Sequence, residues 1–260
     1  MKYIIGLSIL FFAISIHSFS QQNSRYYRIA EEDKDGRLSI VGRYPIMEKM
    51  VTKINCYRFT FDKNEKLKKI EYLKNGKISN GGNLGAAQVK IEYTNGFEIR
   101  AYFNAMNAPT TDKYGVYSTR LKLNERNQRI SCYNYNGEGK LCEDIWEVAQ
   151  YLWTVDNEGR KIKSFRVDIS GNRILSKGGI YDRRWKYDKY DNIIETANYG
   201  PDGNLLEDNE GIAISRYLYD PLGNSIEEKY FGSDKKLKGE NKSGIAISRR
   251  KFDKEGKLLE

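Results

Sequence analysis

The stretch Gly211-Ile212-Ala213-Ile214-Ser215-Arg216-Tyr217-Leu218-Tyr219-Asp220-Pro221-Leu222-Gly223-Asn224 decides the fold that we predict for this chain. From Ile212 to Tyr219, branched or aromatic residues alternate with polar ones, which favours a half-buried β-strand. Asp220 to Gly223 predicts a turn, because aspartate accepts hydrogen bonds from turn amides, proline presets φ and glycine accepts a positive φ. Ser225 to Phe231 predicts a second strand, so the segment forms a β-hairpin.

The same pattern recurs with a period of about 32 residues, which indicates a repeat protein. The turn position is occupied in succession by Asp62, Thr94, Asn124, Asp156, Asp188, Asp220 and Asp253, at steps of 32, 30, 32, 32, 32 and 33 residues. A second marker, Gly139, Gly171 and Gly203, keeps the 32-residue step. We count about six full units from residue 53 onward, with a truncated unit at the C-terminus. The stretch from Phe97 to Lys113 is expected to be an insertion or a distorted unit, because the step there shortens.

These repeats predict an all-β fold, an elongated antiparallel array of hairpins. A unit of this size buries little apolar surface alone and must stack on its neighbours. The sequence leaves open whether the sheet closes, curls into a solenoid-like shape or stays open. The best helical candidate, residues 46–54, is short. We therefore divide the chain into residues 1–20, a signal peptide; 21–52, an N-terminal segment that could hold a degenerate repeat; and 53–260, the β-repeat domain.

Composition and the N-terminus indicate an exported protein. The 260 residues carry a net charge of +9, a mean hydropathy of -0.71 and 20 tyrosines, which argues against disorder and against a multi-span membrane protein. Lys2, the apolar run from Tyr3 to Ile16 and Ser18-Phe19-Ser20 predict a signal peptide cleaved before Gln21. A retained anchor is the alternative, but the run is shorter than the roughly 20 residues that span a bilayer. No later stretch is apolar enough to span a membrane.

Histidine and cysteine limit the chemistry. His17 is the one histidine, and it lies in the predicted signal peptide. The mature chain then has no Ser-His-Asp triad, Cys-His dyad or histidine-containing metal site, so we expect neither an enzyme nor a cofactor. Cys132 and Cys142 flank a hairpin turn at residues 136–139 and are candidates for a disulfide, with two unpaired thiols as the alternative. Cys56 has no partner visible in the sequence.

The repeated motif resembles two known families. Tyr217-Leu218-Tyr219-Asp220-Pro221-Leu222-Gly223-Asn224 is similar to the YD repeats of Rhs-type bacterial surface proteins, and residues 185–188 and 250–253 follow the same pattern. Glu210-Gly211-Ile212-Ala213 is similar to the Gly-Leu-Ala step of WG-type repeats. The resemblance implies β-strand arrays in exported proteins and supplies no catalytic residues. The chain departs from both families, since YD units are shorter and the Trp-Gly pair is missing.

Aromatic residues at repeated positions are the candidates for recognition. They are Trp185, Tyr187, Tyr217, Tyr219 and Phe252. In register on a sheet they would form a row, either exposed for binding an extended glycan or peptide, or packed as a structural face. The repeated carboxylates are interpreted as turn formers. The acidic loop at Glu31, Glu32, Asp33 and Asp35 raises calcium as an alternative to a solvated turn, and we assign no metal site.

We therefore expect an exported, non-catalytic repeat protein that binds a cell-envelope protein or polysaccharide through an extended β surface. One alternative is a carboxylate-dependent glycoside hydrolase that uses an acid from residues 97–113, such as Asp112. Another is a partner or immunity-like protein of a secreted toxin. Nucleic acid is not expected, because the charges are mixed and the protein is exported. The oligomeric state stays open, since an open array could pair edge to edge.

Overall fold

The computed structural model describes residues 23–32, 39–253 and 258–259. The predicted signal peptide lies outside these residues, as do Asp33 and Asp35 of the acidic loop. The predicted division at residue 53 falls inside the described part, where strands occur on both sides of it.

The described residues form sixteen strands in one antiparallel sheet. The strands are β1 (Asn23–Glu32), β2 (Ile40–Ile46), β3 (Cys56–Phe61), β4 (Leu67–Lys74), β5 (Lys77–Ile78), β6 (Gln88–Thr94), β7 (Phe97–Phe103), β8 (Ser118–Leu123), β9 (Arg129–Tyr135), β10 (Gln150–Val155), β11 (Lys161–Val167), β12 (Asp182–Tyr187), β13 (Ile193–Tyr199), β14 (Ile214–Tyr219), β15 (Ser225–Phe231) and β16 (Ile247–Arg249). A single 3-10 turn, Glu48–Met50, occupies the segment that was the best helical candidate.

The sheet is open and follows the chain almost without crossing. From β16 back to β6 each strand pairs with the one before it in sequence, and the sheet then ends in the order β4-β3-β1-β2. β5 pairs only with β4. At about 4.8 Å between strands the sheet extends roughly 70 Å across its strands. The predicted all-β, elongated antiparallel array is confirmed, and the question left by the sequence is answered in favour of an open sheet.

Each unit from β8 onward contains three turns of closely similar design. In the unit after β12 they begin at Asp188, Gly200 and Asp208, and in each the first N–H donates to the fifth carbonyl, at 3.0, 2.8 and 3.0 Å. The fourth residue has positive φ, 79° at Gly203 and 80° at Gly211, which explains why glycine recurs there. The first turn closes the hairpin, and the other two fold the connection to the next hairpin.

An aspartate or asparagine side chain completes most of these turns. Asp220 accepts N–H groups from Leu222 and Asn224, both at 2.9 Å from its Oδ1. The same pair of bonds, to the second and fourth residues onward, forms at Asp62, Asn104, Asp112, Asn124, Asn136, Asp144, Asp156, Asp188 and Asp208. The interpretation of the repeated carboxylates as turn formers therefore agrees with their bonds.

Departures from the period lie in the turns. The 30-residue step arises because β6 and β7 are joined by a two-residue Asn95-Gly96 turn, with both φ values positive. The 33-residue step arises because the turn from Glu240 closes on Ile245, one residue late. The expectation of an insertion or distortion at residues 97–113 was wrong: this stretch has a regular strand and two turns with the usual bonds.

The third turn of each unit also bonds to the third turn of the unit before it. A backbone N–H of one turn donates to a carbonyl of its predecessor, at distances from 2.9 to 3.3 Å. The donor and acceptor pairs are Lys113 and Leu84, Ile145 and Tyr114, Lys177 and Trp146, Asn209 and Gly178, and Asn241 and Glu210. Consecutive units are thus joined twice, through their strands and through these turns.

The two faces of the sheet differ in the side chains and turns that pack against them. On one face, called the packed face here, valines of the third turns lie over the strands. Val148 packs with Leu121, Cys132, Tyr151 and Trp153 in one buried cluster. Nearer the N-terminus the packed face is a larger apolar core, whose buried side chains include Tyr57, Phe59, Ile70, Val89, Ile91, Tyr102 and Val116. Burial on this face supplies the apolar stabilisation that a single sheet needs.

The turn bonds predict a contrast between two substitutions at Asp220. Asp220→Ala removes both side-chain acceptors and should lower the free energy of unfolding by about 1–2 kcal/mol. Asp220→Asn keeps an acceptor oxygen, as Asn124 and Asn136 do at equivalent positions, and should stay within about 0.5 kcal/mol of the parent. Urea unfolding measures both. Equal losses in the two variants would contradict the role of the side-chain oxygen.

The turns also predict loss of stability in acid. Hydrogen bonds from neighbouring amides lower the pKa of Asp62, Asp168, Asp188, Asp202 and Asp220 below the ordinary value. The folded-state pKa is then below that of the unfolded chain, so the contribution is present above about pH 4 and is lost as the pH falls through the folded value. Urea midpoints measured between pH 7 and pH 2 should fall below about pH 4, and less so in Asp220→Asn. A flat profile would contradict this.

Candidate functional site

The predicted recognition residues Trp185 and Tyr217 lie on the packed face. Trp185 is only 5% exposed and pairs across the sheet with Thr196, while Tyr217 pairs with Glu228. Burial and the nearby Glu228 carboxylate raise the pKa of Tyr217 to about 12. Both rings therefore form part of the packing between units, as the alternative interpretation of the row expected.

Tyr187 and Tyr219 are half-buried and bonded to the preceding hairpin. The Tyr187 hydroxyl donates to the carbonyl of Lys161 at 2.7 Å, and the Tyr219 hydroxyl donates to that of Ile193 at 2.9 Å. Phe252 lies beyond the last strand, in a single β-bridge with Leu258. These contacts give the three aromatic residues structural partners, and their role in binding stays a prediction.

The cysteines are thiols in the structure. Cys132 is buried on β9, and Cys56 is buried on β3. Cys142 lies past the hairpin turn, where its N–H donates to the carbonyl of Asn134 at 3.0 Å. It therefore stands opposite Asn134 rather than directly opposite Cys132, two residues away. The disulfide stays a prediction for the oxidised protein. Burial raises the pKa of the Cys56 thiol, which makes it less reactive.

Asp112, the acid of the hydrolase alternative, begins one of the third turns. Its Oδ1 accepts the N–H groups of Tyr114 and Val116 at 2.8 and 3.2 Å. Asp144 and Asp208 make the same bonds one and three units later. The residue is thus one of a series of turn formers. Within the described ranges, no group of His, Cys, Asp and Glu side chains is arranged to hold a metal ion.

A surface that sequence reasoning missed lies on the opposite face of the sheet, where four acidic side chains are each flanked by two cations. Glu195 contacts Lys186 and Arg216, each at 2.8 Å. Three other carboxylates have the same arrangement: Glu71 with Arg58 and Lys69, Asp182 with Lys163 and Arg184, and Glu227 with Lys229 and Arg249. One cation balances each carboxylate, and the second leaves a positive charge at each site.

The flanking cations keep Glu195 and Glu227 ionised. Burial opposes ionisation of Glu195, but the hydrogen bonds from Lys186 and Arg216 outweigh it and lower its pKa. Hydrogen bonds from Lys229 and Arg249 lower the pKa of Glu227. Glu195 and Glu227 therefore stay paired with their cations as ionised groups.

Cations also lie over aromatic rings at a repeated position of this face. Arg184 lies 3.8 Å from the ring centroid of Tyr199. The equivalent pairs are Lys90 with Phe103 at 4.1 Å, Arg120 with Tyr135 at 4.3 Å and Arg216 with Phe231 at 4.8 Å. The cation belongs to the first strand of a hairpin and the ring to the end of the second. In the sequence, the aromatic series Tyr135, Tyr199 and Phe231 has the same spacing as the cationic series Arg120, Arg184 and Arg216. This shared spacing could have predicted the surface.

We call this surface the basic face. Its cationic members are Arg58, Lys69, Lys90, Arg120, Lys122, Lys163, Arg184, Lys186, Arg216, Lys229 and Arg249, and its acidic members are Glu71, Glu92, Asp182, Glu195 and Glu227. The principal contacts between strands in the described residues join only neighbours in the sheet. The middle and C-terminal parts of the basic face are therefore not covered by another layer of strands.

Two shallow grooves lie on the basic face, each beside a cation–aromatic pair. The first has a volume of about 360 Å³ and is lined by Thr94, Asn95, Phe97, Ile99, Arg120, Tyr133 and Tyr135. The second, three units further on, has about 530 Å³ and is lined by Arg216, Tyr217, Leu218, Glu227, Lys229, Phe231 and Leu237. Each groove contains an arginine, and each contains the ring that this arginine covers.

Comparison with known proteins shows no family. No family model matches the chain, and no curated protein matches it. In the described residues no helix is long and apolar enough to cross a membrane.

Solved structures give weak likenesses. A porin-like protein from Bacteroides uniformis is similar over 79% of this chain and 86% of its own, with 9% identity and a TM-score of 0.33. A chain of the Photorhabdus luminescens Tc holotoxin pore has 10% identity and a TM-score of 0.29, and a chain of a TcdB2-TccC3-Cdc42 structure has 10% and 0.18. The match to the holotoxin chain covers 88% of this chain and 13% of that one. The match to the second toxin chain covers 91% of this chain and 15% of that one. These values carry no functional argument.

The hydroxyl bonds of the packed face predict a measurable loss in Tyr219→Phe. The substitution leaves the Ile193 carbonyl without its donor and should lower the free energy of unfolding by about 1 kcal/mol. Tyr190→Phe is the matched control, because Tyr190 is 71% exposed, and it should change the free energy by less than about 0.5 kcal/mol. Urea unfolding followed by tryptophan fluorescence measures both. A neutral Tyr219→Phe would contradict the structural role of the hydroxyl.

Proposed function

We propose that the protein is a non-catalytic exported repeat protein whose sheet binds a cell-envelope polymer, a protein or a polysaccharide, through the basic face. The observation that carries this proposal is the placement of two cations around four carboxylates on a face that no second layer of strands covers. Such a surface attracts an extended anionic ligand along its whole length. The predicted signal peptide places the protein where envelope polymers occur.

The geometry favours binding over catalysis. A general acid needs a carboxyl group whose pKa is raised towards the working pH. The pKa values of Glu71, Glu98, Glu195 and Glu227 are instead below the ordinary value. Asp112 has its Oδ1 occupied by turn amides. These features support a surface that holds a ligand by charge and contact rather than one that transfers protons.

The repeat gives the surface a regular spacing. Each unit contributes two strands, so equivalent side chains of consecutive units are about 10 Å apart across the sheet. A ligand with charges at regular intervals can contact several units at once, and the contributions of the units then combine. Binding should accordingly weaken in graded steps when units are removed.

The proposal predicts the effect of removing three cations from the basic face. Arg184→Gln, Arg216→Gln and Arg249→Gln combined should weaken co-sedimentation of residues 21–260 with the cell-envelope fraction about tenfold, at about 0.5 kcal/mol for each exposed charge. The charge-matched control combines Lys140→Gln, Lys177→Gln and Lys242→Gln, which are exposed in turns, and should keep most of the binding. Binding of the parent protein should decrease with salt.

Three results would count against the proposal. No pelleting of the parent protein at low salt would contradict envelope binding. Equal losses in both triple variants would show that net charge, and not the basic face, determines the attraction. Release of reducing sugar that Asp112→Asn abolishes would favour the hydrolase alternative. Treating the envelope with protease before the assay separates a protein ligand, which is lost, from a polysaccharide, which survives.

A further inference from the structure

We infer that the groove around Arg120 is a binding subsite for one carboxylated sugar unit of an anionic polysaccharide, an inference that rests on the proposed function and names its ligand class. The groove lies where the turn between β6 and β7 meets the strands β7, β8 and β9. Its volume of about 360 Å³ is near the lower end for small-molecule sites. It has room for a sugar ring and is too small for a helix.

Arg120 supplies the charge of this subsite. Within the described ranges no carboxylate lies at ion-pair distance from its guanidinium, whereas Arg184, Arg216 and Arg249 each contact one. The Tyr135 ring, 4.3 Å away, holds the guanidinium in place. A planar guanidinium held by a ring and lacking a counter-ion is suited to a bidentate contact with a ligand carboxylate.

Aromatic and aliphatic side chains supply the contact surface. Ile99 and Tyr133 are the direct cross-strand neighbours of Arg120, one on each side. Phe97 and Tyr135 extend the wall along the two strands. One cation within a mainly apolar wall matches a ligand unit that has one charged group and one apolar ring face. A pyranose ring with a carboxylate substituent has both.

The repeat extends this chemistry towards a polymer. The groove at Arg216, three units on and roughly 30 Å away at two strands per unit, shares the arginine and the ring that it covers, although Arg216 also contacts Glu195. The pair Arg184 and Tyr199 lies between the two grooves. Leu152 takes the place of the arginine in the unit between Arg120 and Arg184, so the cations lie at multiples of one unit spacing. A chain that presents rings and carboxylates at regular intervals can reach Arg120, Arg184 and Arg216 together, whereas a globular protein partner without repeats offers no such period. The periodicity therefore favours the polysaccharide over an acidic protein.

The test measures binding of oligogalacturonates of increasing length to residues 21–260 by titration calorimetry. Affinity should rise with length, and Arg120→Gln should reduce it about tenfold or more, the loss expected for a charged hydrogen-bonded contact. Tyr133→Leu should also reduce it, because the ring face is lost. Arg126→Gln is the matched control, since Arg126 lies in a turn outside the basic face, and it should bind as the parent does.

Four further ligands distinguish a carboxylated polysaccharide from other anionic polymers and from neutral polysaccharides. Methyl-esterified oligogalacturonate should bind at least tenfold more weakly than the acid, since it lacks the carboxylate. Polyglutamate or polyphosphate that bound as tightly as the acid, with the same loss in Arg120→Gln, would overturn the sugar assignment. Dextran of equal length should not bind. Unfolding midpoints of all variants within a few degrees of the parent show that losses arise at the site.

The two proposals fail separately. If the protein pellets with the envelope but binds no oligogalacturonate, or binds it without loss in Arg120→Gln, the subsite is refuted and the proposed function stands. If the protein does not pellet with the envelope, the proposed function is refuted whatever the oligosaccharides show.

Discussion

The rest of the structure depends on one turn, in which an N–H bonds to the carbonyl four residues onward and an aspartate or asparagine oxygen accepts two further amides. The turn occurs three times in a unit from β8 onward and sets the length of most connections. Where it is replaced, as at Asn95 and Gly96, the period shortens but the strands still pair. Because the third turns bond to each other, a displacement of one unit would break bonds both in the strands and at the turns. The pitch of the array is therefore fixed by backbone hydrogen bonds.

A fixed pitch determines which face each side chain occupies. Side chains alternate across a strand, so equivalent residues of successive units share a face as long as the turns keep the register. Trp185 and Tyr217 thereby join the packed face, while Arg184 and Arg216, each one residue earlier in the chain, join the basic face. The same repeat thus builds a packed surface and a charged surface back to back. The packed face stabilises the array, while the cations of the other face stay exposed to solvent.

Charges are also buried on the packed face, at the boundary between its apolar and polar parts. Glu98 and Arg100 are each 1% exposed and lie 2.8 Å apart, and Arg129 contacts the second oxygen of Glu98 at 2.5 Å. Burial opposes ionisation of Glu98, but the charges and hydrogen bonds of the two arginines lower its pKa. Buried ion pairs of this kind contribute little net stability, but loss of one partner costs about 3–5 kcal/mol. The group therefore links β7 to β9, and removing any one of the three charged side chains should destabilise the fold.

The sequence by itself determined the strand and turn content, the number of units and the role of the repeated aspartates, because these depend on local periodicity and on bonds within five residues. It also identified Trp185, Tyr187, Tyr217 and Tyr219 as one row, since period and alternation place them in register. The tertiary structure alone decided that the sheet stays open and that the third turns fold over this row. It also decided that the cations and rings of the basic face meet. Those outcomes depend on contacts between residues of different strands and units. Only the assembled sheet determines which side chains meet and which groups pack over them.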